Sequence, residues 1–183
     1  MPFPDPDVKY SYADYLTWPK EQRWELIEGV PHAMAAPSTR HQRFVRKLTL
    51  QIGNFLEEKD CEVFPAPFSV YLKHTNKEDT VVEPDLSVVC DPAKLDDRGC
   101  KGAPDLIIEV LSPTTARHDR VLKFNKYLEA KVMEYWIVDP ERNVVEVFLL
   151  RGNIYSAQAY LEDDVVPVWV LPGLVIDFKK VFE

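Results

Sequence analysis

Two stretches in the middle of the chain, EPDLSVVC (83–90) and APDLIIEVL (103–111), are almost continuously apolar and each follows a proline. Such runs mark strands covered on both faces, so the chain must supply cover on two sides of a sheet. The second run also contains an acid. In an extended strand Asp105, Ile107, Glu109 and Leu111 share one face, which points Glu109 into apolar surroundings. Burying an ionised carboxylate is costly unless it is paired, protonated or bound to a metal. Asp85, at the head of the first run, poses the same problem, and two such strands side by side could direct both carboxylates at one ion.

The flanking pattern supplies the cover. Thr39 and Gln42 resemble a capping box, after which Phe44, Val45, Leu48, Ile52, Phe55 and Leu56 recur at helical spacing, predicting a helix over roughly 39–58. Ser112-Pro113 can open a second helix reaching about Ala130. WELIEGVPHA reads as a hairpin broken at Gly29, with Glu28 at the end of its first strand; CEVFP, FSVYL, EYWIVDP, NVVEVFLL and IYSAQAY read as further strands. The tail LPGLVIDFKKVF reads as a strand and a terminal helical turn. The expected fold class is α/β, a mixed sheet between two long helices with additional antiparallel strands, with residues 1–23 as an irregular lead-in and 24–183 as one domain.

Composition narrows function. At 183 residues with 46% hydrophobic residues the chain can bury a sizeable core. A formal net charge of −8 gives no general attraction to polyanions, so nucleic-acid binding would need a local basic patch. Cys61, Cys90 and Cys100 form no C-x-x-C pair and read as inert thiols in a reducing compartment. No signal peptide or membrane span is evident, so a cytoplasmic protein without membrane contact is expected.

Magnesium takes oxygen ligands and commonly one or two protein carboxylates, which Asp85 and Glu109 could provide, with Glu28 as a further acid. On the second helix Asp119, Lys123 and Tyr127 form one stripe beside Lys126. A lysine leaning over paired acids could stabilise charge developing on phosphate. Each feature also has a plain structural reading: Asp85 and Asp105 as strand-entrance acids, Glu109 in an ion pair, and Asp119–Lys123 as a solvated pair.

In order along the chain, ELIEG, STRHQ, EPDLSVV, GAPDLIIEVLSPTT, D-x3-K-x3-Y and EYWIVDP resemble the Uma-type family of restriction-endonuclease-like proteins, within the PD-(D/E)xK nuclease superfamily. The resemblance spans roughly Trp24 to Phe178. It implies a central mixed sheet flanked by helices, a bound Mg2+ or Mn2+, and phosphodiester hydrolysis. By motif position Asp85 and Glu109 are the metal-binding acids, and Glu28 is an additional upstream acid. Two residues after Glu109 the superfamily motif has lysine, whereas this chain has Leu111; the resemblance implies that Lys123 takes over. His41 falls in a matching motif, where it could simply fix the helix entrance. Asp105 lies about 13 Å from Glu109 along an extended strand and is read as shaping its entrance.

Three functions follow as expectations. The first is a Mg-dependent endonuclease acting on DNA; the second is a non-catalytic interaction or regulatory module that kept the fold; the third is a metal-dependent hydrolase of a small phosphorylated molecule. The positions of Arg40, Arg43, Arg46, Lys47, Arg117 and Arg120 discriminate, since a cluster beside the acids favours nucleic acid. A homodimer is also expected, through the apolar stretch VVPVWVLPGLVIDF near the chain end.

Overall fold

The computed structural model describes residues 3–19, 21–72, 79–112 and 118–183, except the side chains of residues 118 and 119. Its strands are β1 Trp24–Ile27, β2 Val30–Ala33, β3 Glu62–Pro65, β4 Val70–Leu72, β5 Thr80–Val82, β6 Leu86–Val89, β7 Leu95–Asp96, β8 Gly99–Lys101, β9 Leu106–Val110, β10 Glu134–Asp139, β11 Val144–Arg151, β12 Ile154–Leu161, β13 Val165–Pro167 and β14 Val175–Asp177. The α-helices are α1 Tyr12–Tyr15, α2 Thr39–Leu56, α3 Phe124–Glu129 and α4 Phe178–Phe182, with a π-helical segment, His118–Lys123, leading into α3.

The two apolar runs occupy the middle of a six-stranded mixed sheet ordered β12-β11-β10-β9-β6-β3. Only β9 and β10 are parallel in it, joined through the π segment and α3. Side-chain alternation then divides the core in two. Leu86, Val88, Leu106, Ile108, Trp136 and Val138 face α2, α4 and the β13–β14 ribbon. Val89, Ile107, Leu111, Tyr135 and Ile137 face α3 and the second sheet. That second six-stranded sheet, β2-β1-β5-β4-β8-β7, is additional to the expected cover. Several of its strands have only two or three residues, too short to show a period.

Local sequence explains the boundaries. The cap of α2 is Ser38, whose hydroxyl accepts from His41 N, rather than Thr39. The helix ends at Leu56, two residues before the expected limit. In the β1–β2 turn Glu28 and Gly29 have φ of 52° and 77°, the paired left-handed geometry that a two-residue hairpin uses. At Gly99 any Cβ would lie 2.0 Å from Ser69 O, so this position requires glycine. The expected start of the second helix at Pro113 lies outside the described residues. The lead-in packs onto the body: Tyr10 N donates to Gly29 O, and Tyr12 stacks on Tyr71.

One expectation is overturned. Cys61 and Cys90 are joined in a disulfide, because antiparallel pairing of β3 with β6 (Glu62 opposite Val89) places the two cysteines directly across from one another. The thiol argument for a reducing compartment therefore loses its premise. Cys100 remains a buried thiol, its pKa pushed up to about 11 by burial. Among the described residues no helix is long and apolar enough to cross a membrane. The disulfide closes a loop across a separation of 29 residues. Loop-closure entropy gives it a stabilising effect of roughly 3–4 kcal/mol. Cys90→Ser should lower the melting temperature by roughly 10 °C, whereas equal melting of oxidised and reduced protein would contradict the pairing.

Candidate active site

Register brings the acids together. Leu86 pairs with Ile108 and Ser87 with Ile107, so one step further sets Asp85 opposite Glu109 on the face toward α3. Asp85 N lies 3.4 Å from Glu109 Oε2. Asp85 is anchored through Oδ2, whereas both oxygens of Glu109 have donors, Asp85 N lying against Oε2. Asp85 Oδ2 accepts from Val110 N at 2.8 Å and lies 3.0 Å from His41 Nε2, which α2 presents from its first turn. Glu109 Oε1 accepts from Lys123 Nζ at 2.9 Å and from the Tyr127 hydroxyl at 2.7 Å. Together these contacts fix the direction of both carboxylates.

Lys123 is thus the lysine nearest the acid pair, reaching Glu109 from the end of the π-helical segment. It is not part of a solvated stripe: its side chain is only 4% exposed, and Nζ is also 2.8 Å from Glu25 Oε1. Glu25, buried in β1, additionally accepts from Glu83 N, and Glu83 is paired with Arg23. The side chain of Asp119 lies outside the described residues. Lys126, one turn away, pairs instead with Glu28 and Glu129.

The structure therefore brings together Asp85, Glu109 and Lys123, but places Glu28 in the hairpin turn with Lys126. The acid that β1 sends to the cluster is Glu25. Its signal was present in the sequence as an acid inside the apolar run WELI, the same pattern that marks Glu109. His41 does more than shape a helix entrance, since its ring holds Asp85. Asp105 has the expected local role, accepting from Cys90 N at 2.8 Å.

Glu25, His41, Asp85, Glu109 and Lys123 line a cavity of about 550 Å3, together with residues 31–33 of β2 and the 34–38 connection to α2. Four acidic side chains (Glu25, Glu83, Asp85 and Glu109) and two basic ones (Arg23 and Lys123) lie along its lining. This excess of negative charge, expressed as hard oxygen donors, suits a divalent cation such as Mg2+. Among the described residues no group of three or more His, Cys, Asp or Glu is placed to hold one ion; Mg2+ commonly takes only one or two carboxylates from a protein.

Of the cations expected to discriminate between substrates, three are engaged elsewhere. Arg40 pairs with Glu141 and Arg120 with Asp139 and Glu146, while Lys47 donates to Val181 O. Arg43 and Arg46 are exposed on α2, and Arg117 lies outside the described residues.

Tyr127 is fully buried, and burial, with the Glu109 carboxylate beside it, pushes its phenol well above the usual value. Burial raises Tyr155 in the same direction. Both phenols are neutral in the fold where the unfolded chain would ionise. Their contribution to stability is therefore complete below about pH 10 and is lost as pH rises beyond it. An alkaline titration followed by tyrosinate absorbance should show these two residues ionising only with unfolding. Reversible titration of every tyrosine near pH 10 with the fold intact would contradict this environment.

Residues 12–179 match the Uma2 family, described as "Putative restriction endonuclease". Two relatives come from Synechocystis sp. Protein slr1290 is 31% identical over 154 residues, covering 83% of this chain and 77% of its own length. Protein sll1609 is 28% identical over 136 residues, covering 69% and 73%. A crystal structure from Anabaena variabilis, of a "putative nuclease belonging to DUF820", superposes with a TM-score of 0.78 over 94% of this chain and 97% of that one, at 21% identity. That likeness shows a shared fold, the mixed sheet with flanking helices expected from the sequence.

Proposed function

The chain belongs to the Uma2 family, and from that membership and the Asp85–Glu109 pair we propose that it is a metal-dependent endonuclease hydrolysing phosphodiester bonds in DNA. The family carries the nuclease-type reading; the metal and the DNA substrate are the added steps. The observation that supports them is the convergence of Asp85, Glu109 and Lys123 at one cavity, with both carboxylates held in place by hydrogen bonds.

Asp85 and Glu109 would hold Mg2+ or Mn2+, which when bound supplies Lewis-acid stabilisation of charge on the reacting phosphoryl oxygens. The protein's own groups do the positioning. His41 and Val110 N hold the Asp85 carboxylate, while Tyr127 and Lys123 hold that of Glu109. The Lys123 ammonium adds a fixed positive charge where phosphate charge develops, and Glu25 keeps it in place.

A second reading, hydrolysis of a small phosphorylated molecule, is favoured by one observation: Arg40 and Arg120 are committed to carboxylates rather than grouped freely beside the acids. Incubation with single-stranded, duplex and branched DNA, and with a small phosphodiester, separates the readings when wild type is run beside Glu109→Gln. Cleavage of DNA that requires Mg2+ or Mn2+ and vanishes in Glu109→Gln supports the endonuclease. Turnover of only the small ester supports the second reading. No turnover with any ion and no metal binding would leave a non-catalytic member of the fold.

A further inference from the structure

The outer strand of the central sheet, β12, is long for an unprotected edge. It has eight residues, IYSAQAYL, with no charge and no proline, and among the described residues it pairs only with β11. Natural edges of this length usually carry a lysine, a proline or a bulge that blocks further pairing. Here Ile154, Ser156, Ala157, Gln158, Ala159 and Leu161 are all exposed.

We propose that β12 is the docking surface for a second copy of this chain, pairing antiparallel with its own counterpart about a two-fold axis that passes through Ala157 perpendicular to the sheet. In that register Ala157 meets its own counterpart, Ser156 meets Gln158, Tyr155 meets Ala159, and Ile154 meets Tyr160, each pair on one face of the joined sheet. The pattern is that of an isologous contact, in which each pair off the axis occurs twice. Apolar and aromatic cross-strand pairs of this kind stabilise sheets. The two sheets join into one.

Charge agrees with this direction. The hairpin end of β12 carries Arg151 and Lys131, the latter bonded to Asn153 Oδ1 at 2.8 Å, and the other end carries exposed Glu162, Asp163 and Asp164. Antiparallel pairing sets the basic end of each copy against the acidic end of the other, whereas parallel pairing would set like against like. Exposed Trp169, with the Arg151 guanidinium 5.8 Å from its ring centre, adds an apolar group at the basic end. The segment expected to associate, VVPVWVLPGLVIDF, instead sends Val166, Val168, Leu171, Leu174, Ile176 and Phe178 into the core. The inference does not depend on the nuclease reading.

Sedimentation equilibrium of the full chain at concentrations on the order of 1 to 100 μM should show a monomer–dimer equilibrium. Hydrogen exchange over the same range should show β12 amides becoming protected as concentration rises. Ala157→Lys sets a lysine directly opposite its own counterpart on the axis, and should abolish the dimer while leaving melting at low concentration unchanged. A chain that stays monomeric throughout, a dimer that survives in the lysine variant, or concentration-dependent protection confined to another element would overturn the proposal.

Discussion

Lys123→Met should be among the most damaging single substitutions in this protein, and it should damage both folding and activity. The ammonium lies between Glu25 and Glu109, all three side chains being almost fully enclosed. Removing one member of such a buried group leaves the rest uncompensated, at a cost of about 3–5 kcal/mol. For a chain of this size that corresponds to roughly 10 °C or more in melting temperature. Glu25→Gln in the same chain should restore part of the loss, because it removes one of the two stranded carboxylates. A double-mutant cycle would read that coupling directly. At a temperature where the variant is still folded, cleavage should fall by about a hundredfold or more, as expected for loss of one preorganised electrostatic group. Lys126→Met should do far less to cleavage, since Lys126 engages Glu28 and Glu129 and does not reach Glu109. Equal mild losses in the two variants would remove Lys123 from the mechanism.

Glu109→Gln should act through a different quantity. The amide is nearly the same size and can still accept from Lys123 and Tyr127, so the cavity should survive. What is lost is a negative charge and one anionic oxygen donor facing Asp85. Divalent-ion affinity should drop at least tenfold, and metal-dependent cleavage should fall below detection. Asp85→Asn should produce the same pairing of effects with His41 still in place. Calorimetry with Mn2+ on the two variants distinguishes this account from a purely structural one, in which melting would change and ion affinity would not.

The acids were legible because their cost is local. A carboxylate within LIIEV announces itself wherever the strand is packed, and alternation alone assigns it a face. Its partner could also be found, since Asp85 heads the other doubly covered run. Glu25 carries the same signature, but WELI is short and is followed at once by the acid of its turn, so Glu28 drew the assignment. The true partners of Lys123 depend on how β1 is laid over the central sheet, and helical spacing carries no trace of that. Of the second sheet, the β1–β2 hairpin and β4 were legible as additional strands, but not β7 and β8, because strands of two or three residues have no measurable period. The Cys61–Cys90 bond depends on strand pairing alone: nothing in a gap of 29 residues distinguishes it from two free thiols until β3 is set beside β6. At α2 the error was a single residue, since Ser38 and Thr39 are both competent caps and only the backbone turn chooses between them.

The account rests on Asp85 and Glu109 sharing one divalent ion, and anomalous diffraction from crystals soaked in Mn2+ tests it most directly. The expected result is a single strong peak between the two carboxylates, within about 2.0–2.3 Å of an oxygen from each, by analogy with the distances of small hard cations. A peak elsewhere in the molecule, or none at saturating Mn2+ with both carboxylates still held only by His41, Lys123, Tyr127 and backbone amides, would contradict it.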